Sequence, residues 1–302
     1  MRKLLFLIAG LGVLLASPSS AFARMNVFAC SPEWGALTKE IGGDLVDIKS
    51  ATNAKQDVHH LRAKPSLLAA MRKADLVFCT GASLEIGWLP ILIKKAGGPN
   101  VQPETIGWLM ASDYVEKLDV MTEHVDRSMG HIHPEGNPHV HLDPRNISVL
   151  ADIVTERLIL IDSTNATTYQ NNLKAFQAKW KTLIRKWEVN AQTLRGQKVV
   201  VYHNAWAYLL KWLGMGVIAS LEPKPGIPPT VSHLETVLVR VQGKNVTAIL
   251  VAPFENEKAA EWLSGKSGIP VVHMPFTVGG NEKSKDLPAL FEETILLLKG
   301  SS

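Results

Sequence analysis

Residues 165–194 place Leu173, Phe176, Trp180, Leu183, Ile184 and Trp187 at spacings of three and four, the period at which apolar side chains line one face of an α-helix. One helix over that span has about thirty residues and a length of about 45 Å at 1.5 Å per residue. Two shorter helices parted near Lys179 are the alternative. On either side, short apolar strands alternate with amphipathic helical stretches. Before the long segment, strands read at 25–30, 45–50 and 75–79 and helices at 33–41 and 64–72. After it, strands read at 198–202, 217–221, 248–251 and 271–274, with helices at 206–213, 233–242 and 258–266. Such alternation gives parallel sheets covered by helices. The expected class is α/β, with two lobes, each a parallel β-sheet flanked by helices, joined by one long interlobe helix. The expected divisions are a first lobe over 24–160, a linking helix over 161–195 and a second lobe over 196–302.

The amino terminus reads as a signal peptide over residues 1–23. Arg2 and Lys3 precede an apolar run over 4–16, and Ala21-Phe22-Ala23 supplies a small-x-small cleavage site. That run is too short for a membrane span, and no cysteine follows it closely enough for a lipid anchor, so a soluble, secreted, periplasmic chain is expected. Residues 1–23 carry Arg2 and Lys3 and no acid, so their removal lowers the formal charge from +4 to +2. Near-neutral charge argues against a nucleic-acid partner. Cys30 and Cys79 are too few for a disulfide scaffold or a zinc-thiolate site. Each closes an apolar run that reads as a strand, and either a bridge or two buried thiols fits that placement.

The chemistry rests on histidine. His59 follows Asp57-Val58, His139 follows Asn137-Pro138, and His203 ends the strand Val200-Val201-Tyr202. Each stands by a turn or strand end, and neutral imidazole is the commonest protein ligand for zinc. In parallel α/β sheets ligands gather beyond the carboxyl ends of strands. His203 follows one strand directly, and His59 lies in the loop after another. His139 stands in the polar segment before a helix starting near Asn146. If the two lobes face each other, His59 and His139 of the first meet His203 of the second across a metal site in the cleft. A lone histidine is more often a satisfied, partly buried side chain than a ligand, and the tract His131, His133, His139, His141 could be an incidental metal-binding segment. The combination carries the argument.

The segments 56–66, with Asp57-Val58-His59 and Lys64-Pro65-Ser66, and 74–85, with Ala74-Asp75-Leu76 and Thr80-Gly81, resemble the first-lobe signature of the zinc and manganese substrate-binding proteins of bacterial ABC importers. Asn137-Pro138-His139 looks like that family's second ligand motif, and the strand ending in His203 is similar to its third. The long helix resembles its interlobe backbone helix. The resemblance spans nearly the whole chain after residue 23. It implies two α/β lobes, metal ligands His59, His139 and His203, and delivery of the metal to a membrane permease driven by a cytoplasmic ATPase. A monomer is expected. His60 does not occupy the ligand position.

The family takes a fourth ligand from an aspartate in a late segment, where this chain has Val272-His273-Met274-Pro275-Phe276 and Pro275 stands in its place. Glu222 is the preferred substitute, since it follows a strand and opens the stiff run Glu222-Pro223-Lys224-Pro225, whose prolines limit its freedom. His60, His141 and Glu255 are other candidates, whereas His273 reads as structural. His131 and His133 read as a short form of the mobile histidine loop of some zinc members, or as plain solvated residues. Three imidazoles with at most one carboxylate favour Zn(II) as the transported ligand, because manganese prefers oxygen donors. In the family a glutamate at the third position goes with manganese, so His203 also points to zinc. Copper stands above zinc in affinity order, and Mn(II) or copper binding on the same fold is the alternative; Met129 alone is weak support for copper. A zinc hydrolase using three histidines and a water is a further reading, against which no compact motif such as H-E-x-x-H is present. A surface adhesin on the same fold is disfavoured by the missing anchor cysteine.

Overall fold

The computed structural model describes residues 24–121 and 133–301. The expected signal peptide over 1–23, together with Met129 and His131, lies outside the described residues.

The first sheet is built from β1 (Met25–Ala29), β2 (Val46–Ser50), β3 (Leu76–Cys79) and β4 (Trp108–Met110), all parallel, in the order β2-β1-β3-β4. The second sheet repeats the order with β5 (Lys198–Val201), β6 (Gly216–Ser220), β7 (Val246–Val251) and β8 (Val271–His273), as β6-β5-β7-β8. Helices α1 (Pro32–Gly42), α2 (Pro65–Lys73), α3 (Leu89–Ala96) and α4 (Pro144–Ile161) belong with the first sheet, and α6 (Ala207–Leu213), α7 (Val231–Val241) and α8 (Lys258–Ser267) with the second. Proline stands in the first turn of all four first-lobe helices, where its missing N–H would have no helical partner anyway. α1 stops because Gly43 turns into the left-handed region at φ +55, which a side chain would disfavour. The α/β expectation with two parallel sheets is met.

The long amphipathic segment forms one continuous helix, α5 (Ala166–Asn190), of 25 residues. There is no break at Lys179. It is shorter than expected because the chain tightens into a 3₁₀ turn at Gln192–Leu194 and then turns at Gly196, φ +81. Its apolar stripe is closed by α9 (Leu287–Gly300). Trp180 stacks on Phe176 at 5.1 Å, meets Trp187 edge-on at 5.2 Å, and both tryptophans contact Phe291 of α9. The Trp180 indole donates to the Pro144 carbonyl at 2.7 Å, pinning α5 to the start of α4. Asn172 reaches the Ile41 carbonyl at the end of α1. One cluster of buried apolar side chains therefore runs from Val27 and Trp34 through Trp180 and Trp187 to Val199, Leu250 and Phe291, beneath both sheets.

A polar tie also crosses between the lobes. Glu33, buried at the start of α1, accepts from Ser31 and from the Thr277 hydroxyl, 244 residues away. Beside it the buried His141 donates Nε2–H to the Phe276 carbonyl at 3.0 Å and places Nδ1 3.7 Å from Glu33 Oε1. A buried carboxylate is tolerated only where hydrogen bonds replace its water.

Candidate metal centre

The strand ends that face each other supply the site. His59 sits on a single 3₁₀ turn, Val58–His60, after β2. Asp57 caps that turn by accepting from the His59 amide at 2.9 Å, and its Oδ1 also holds His59 Nδ1 at 2.7 Å. Burial would raise the Asp57 carboxyl, but the hydrogen bonds and charge of His59 outweigh it and hold the group down at about 2. His203 follows β5, and Oε2 of Glu222, at the end of β6, holds its Nδ1 at 2.7 Å. A carboxylate only accepts, so in both rings Nδ1 carries the hydrogen and Nε2 is the nitrogen turned away from the carboxylate. Such carboxylate–imidazole pairs orient metal-ligating histidines and raise their basicity.

His139 completes the triangle. Its amide donates to Asn137 Oδ1 at 3.0 Å, and Asn137 in turn donates to the Asn204 carbonyl beside His203 at 2.8 Å. The ring is 2 % exposed, and among the described residues neither nitrogen has a hydrogen-bond partner. Burial and the neighbouring rings of His203 and His59 push it well below the usual imidazole range, so it stays neutral. An unpartnered, neutral, buried imidazole calls for an explanation, and a metal ion supplies one. The ring centroids of His59, His139 and His203 lie 5.4 to 5.8 Å apart at steep angles. One nitrogen from each lies within 4.8 Å of the others. The three rings border a cavity of about 180 Å³ closed on one side by Phe254 and Phe276.

The remaining expectations divide. Glu222, expected as a fourth ligand, lines the same cavity but is not in the convergent set; its Oε2 is engaged by His203 Nδ1 and by the Gly226 amide at 3.0 Å. It stands behind His203. His60 points outward, its Nε2 3.8 Å from Asp57 Oδ2, and His141 belongs to the tie at Glu33. Glu255 caps the Ala252 amide at 2.6 Å, and burial raises its carboxyl to about 8, leaving it uncharged near neutrality. His273, read as structural, is on the surface beside Glu257. Pro275 is buried; the residue of that segment that touches the site is Phe276, whose ring is 5.3 Å from His139. Cys30 and Cys79, at the ends of neighbouring strands, form a disulfide.

His133 stands beside the centre, which the sequence did not disclose. Its Nε2 lies 3.1 Å from His59 Nε2, and its Nδ1 meets the Ala82 carbonyl at 3.0 Å.

A family model described as zinc-uptake complex component A, periplasmic, matches residues 27–299. The manganese ABC transporter substrate-binding lipoprotein PsaA of Streptococcus pneumoniae is 24 % identical over 266 residues, covering 86 % of this chain and 82 % of its own. The iron ABC transporter substrate-binding lipoprotein MtsA of Streptococcus pyogenes serotype M1 is 24 % identical over 267 residues, covering 87 % and 83 %. Among solved structures, crystalline ZnuA superposes with a TM-score of 0.74 at 23 % identity, over 91 % of this chain and 99 % of that one. The manganese-bound periplasmic metal binding protein of Candidatus Liberibacter asiaticus gives 0.75 at 16 %, over 92 % and 100 %. These structural likenesses carry the fold.

Proposed function

Because this chain belongs to the zinc-uptake complex component A, periplasmic, family, we propose that it captures Zn(II) between His59, His139 and His203 and delivers it to the membrane permease of an ABC importer. The family is one of transporter binding components, not of enzymes. The supporting observation is the convergence of the three imidazoles of His59, His139 and His203, the buried His139 having no other partner for its nitrogens among the described residues. Relatives are named for manganese and for iron, so the donor set has to carry the choice of metal. Nitrogen donors suit zinc, whereas manganese is served by carboxylate oxygens, and the carboxylates here face the far ring nitrogens. Glu222 and Asp57 fix the rings that the cargo meets.

On this reading residues 1–23 are the export signal, and the two lobes either side of 161–195 close on the ion. Zinc replaces protons on the imidazoles, so acidification toward pH 5 weakens binding. The test is metal content by mass spectrometry after competitive loading of the purified protein with zinc and manganese. About one zinc per chain is expected, lost in His139→Ala and kept in His273→Ala. A preference for manganese, or zinc retained by His139→Ala, sinks the reading.

A further inference from the structure

On the reading that zinc is held by His59, His139 and His203, we infer that Asn137 is a positioning residue, which fixes His139 of the first lobe against His203 of the second before the ion arrives.

Every polar atom of this buried residue is engaged, and its bonds run to both ligand segments. Its Oδ1 accepts from the His139 amide at 3.0 Å. Its Nδ2 donates one hydrogen to the carbonyl of Asn204, the residue after His203, at 2.8 Å, and the other to Asp119 Oδ2 at 3.3 Å. The Asn204 side chain donates to the same Asp119 oxygen at 2.9 Å, which closes a ring of three residues across the two lobes. On the main chain, the Asn137 amide donates to the Leu118 carbonyl at 2.7 Å. The Tyr208 hydroxyl of α6 donates to the Asn137 carbonyl at 2.7 Å and accepts from the Leu118 amide at 3.0 Å. The partners dictate which way the side-chain amide faces. The His139 N–H can only donate and the Asn204 carbonyl only accept, so oxygen and nitrogen cannot be exchanged. Asparagine makes all three side-chain bonds without carrying a charge; aspartate lacks both donors.

The chain on either side carries that anchorage to the rings. Pro138 has φ fixed at about −65°, and the residue before a proline is confined to extended conformations, so little slack separates Asn137 from His139. Asn204 is joined to His203 directly. The His139 and His203 rings, with centroids 5.4 Å apart, are thus set against each other by the fold. His59 is held through Asp57, and the movement that closes over the ion is one of the His59 turn against that fixed pair.

Asn137→Asp isolates this role. It keeps the shape and the oxygen that meets the His139 amide, removes both donors, and sets a carboxylate against Asp119 and the Asn204 carbonyl. Added negative charge by itself would tighten the binding of a cation, whereas lost positioning weakens it, so the sign of the change tells the two apart. Chelator competition should show zinc affinity lower by roughly tenfold or more, the size of effect carried by groups one step behind a metal ligand. The visible absorption of Co(II)-loaded protein, which reports ligand geometry, should change with it. Adding Asp119→Asn returns a donor to face the new carboxylate and restores the net charge, and should recover most of the affinity and the wild-type spectrum. Should Asn137→Asp not fold, Asp119→Gly decides, since this exposed position has φ 56, which glycine adopts without strain. At high salt, where loss of an exposed charge is screened, that variant should still bind zinc more weakly than wild type. Unchanged or tighter binding in Asn137→Asp, no recovery in the double variant, or unchanged binding in Asp119→Gly overturns the inference and leaves zinc capture by three histidines in place. A wild-type protein that takes up no stoichiometric zinc overturns both.

Discussion

Asp57 and Glu222 perform the same task from opposite lobes, each holding the Nδ1–H of one histidine so that Nε2 faces inward. Glu85 shows the other fate of a carboxyl group. Fully buried, it accepts from the amides of Thr80 and Gly81, yet loss of water wins and raises it from 4.5 to about 7. Its protonated form is favoured by the fold, so its contribution is fully present below pH 4.5 and is lost as the pH rises through about 7, a swing on the order of 3 kcal/mol. Denaturant unfolding of metal-free protein at pH 5 and pH 8 should show this loss in the wild type, and a smaller one in Glu85→Gln. Equal losses would show that Glu85 does not titrate in that window. At this scale the three convergent histidines were legible because each lies at a strand end or turn in a distinctive local sequence. Glu222 was singled out as a ligand, and its Oε2 stands on His203 Nδ1, since sequence locates a carboxylate near a cleft without saying which side of an imidazole it meets. His133 was grouped with His131 as a loose tract, and its contact with the distant Ala82 carbonyl leaves no mark in a sequence.

Among the elements, α5 was the most legible because its apolar period runs unbroken through Trp180 and Trp187. The short pieces were not. β4 has 3 residues, too few to show a period, and the 3₁₀ turn that carries His59 is set by the Asp57 cap. The α9 stripe of Leu287, Phe291, Ile295 and Leu298 is buried in the core cluster that α5 shares with both sheets, a packing that no local pattern specifies. Trp180 is the joint at which α4, α5 and α9 meet. Trp180→Ala removes its stacking on Phe176, its contact with Phe291 and its bond to Pro144, and should cost about 3–5 kcal/mol in urea unfolding, with one zinc per chain still bound by the folded fraction. A cost below 1 kcal/mol would mean that the spine is not a shared core.

For the molecule as a whole, two sheets of identical strand order point their carboxyl ends at one cleft, as parallel α/β topology demands. The tie from Thr277 to Glu33 joins the second lobe to the first next to Phe276, which lines that cleft. Thr277→Val keeps the shape but takes a donor from a buried carboxylate, and should lower stability by about 1–3 kcal/mol; no change in the urea midpoint would show that water replaces the hydroxyl at no cost. The alternation of strands and helices announced two sheets, whereas a contact spanning 244 residues lay beyond any periodic signal. The shared spine has a consequence for modularity. The face of α5 that bears Trp180 and Trp187 is interior to both halves of the chain, so cutting there exposes a core instead of freeing two domains. The sheets are two, but the unit of cooperative folding is one.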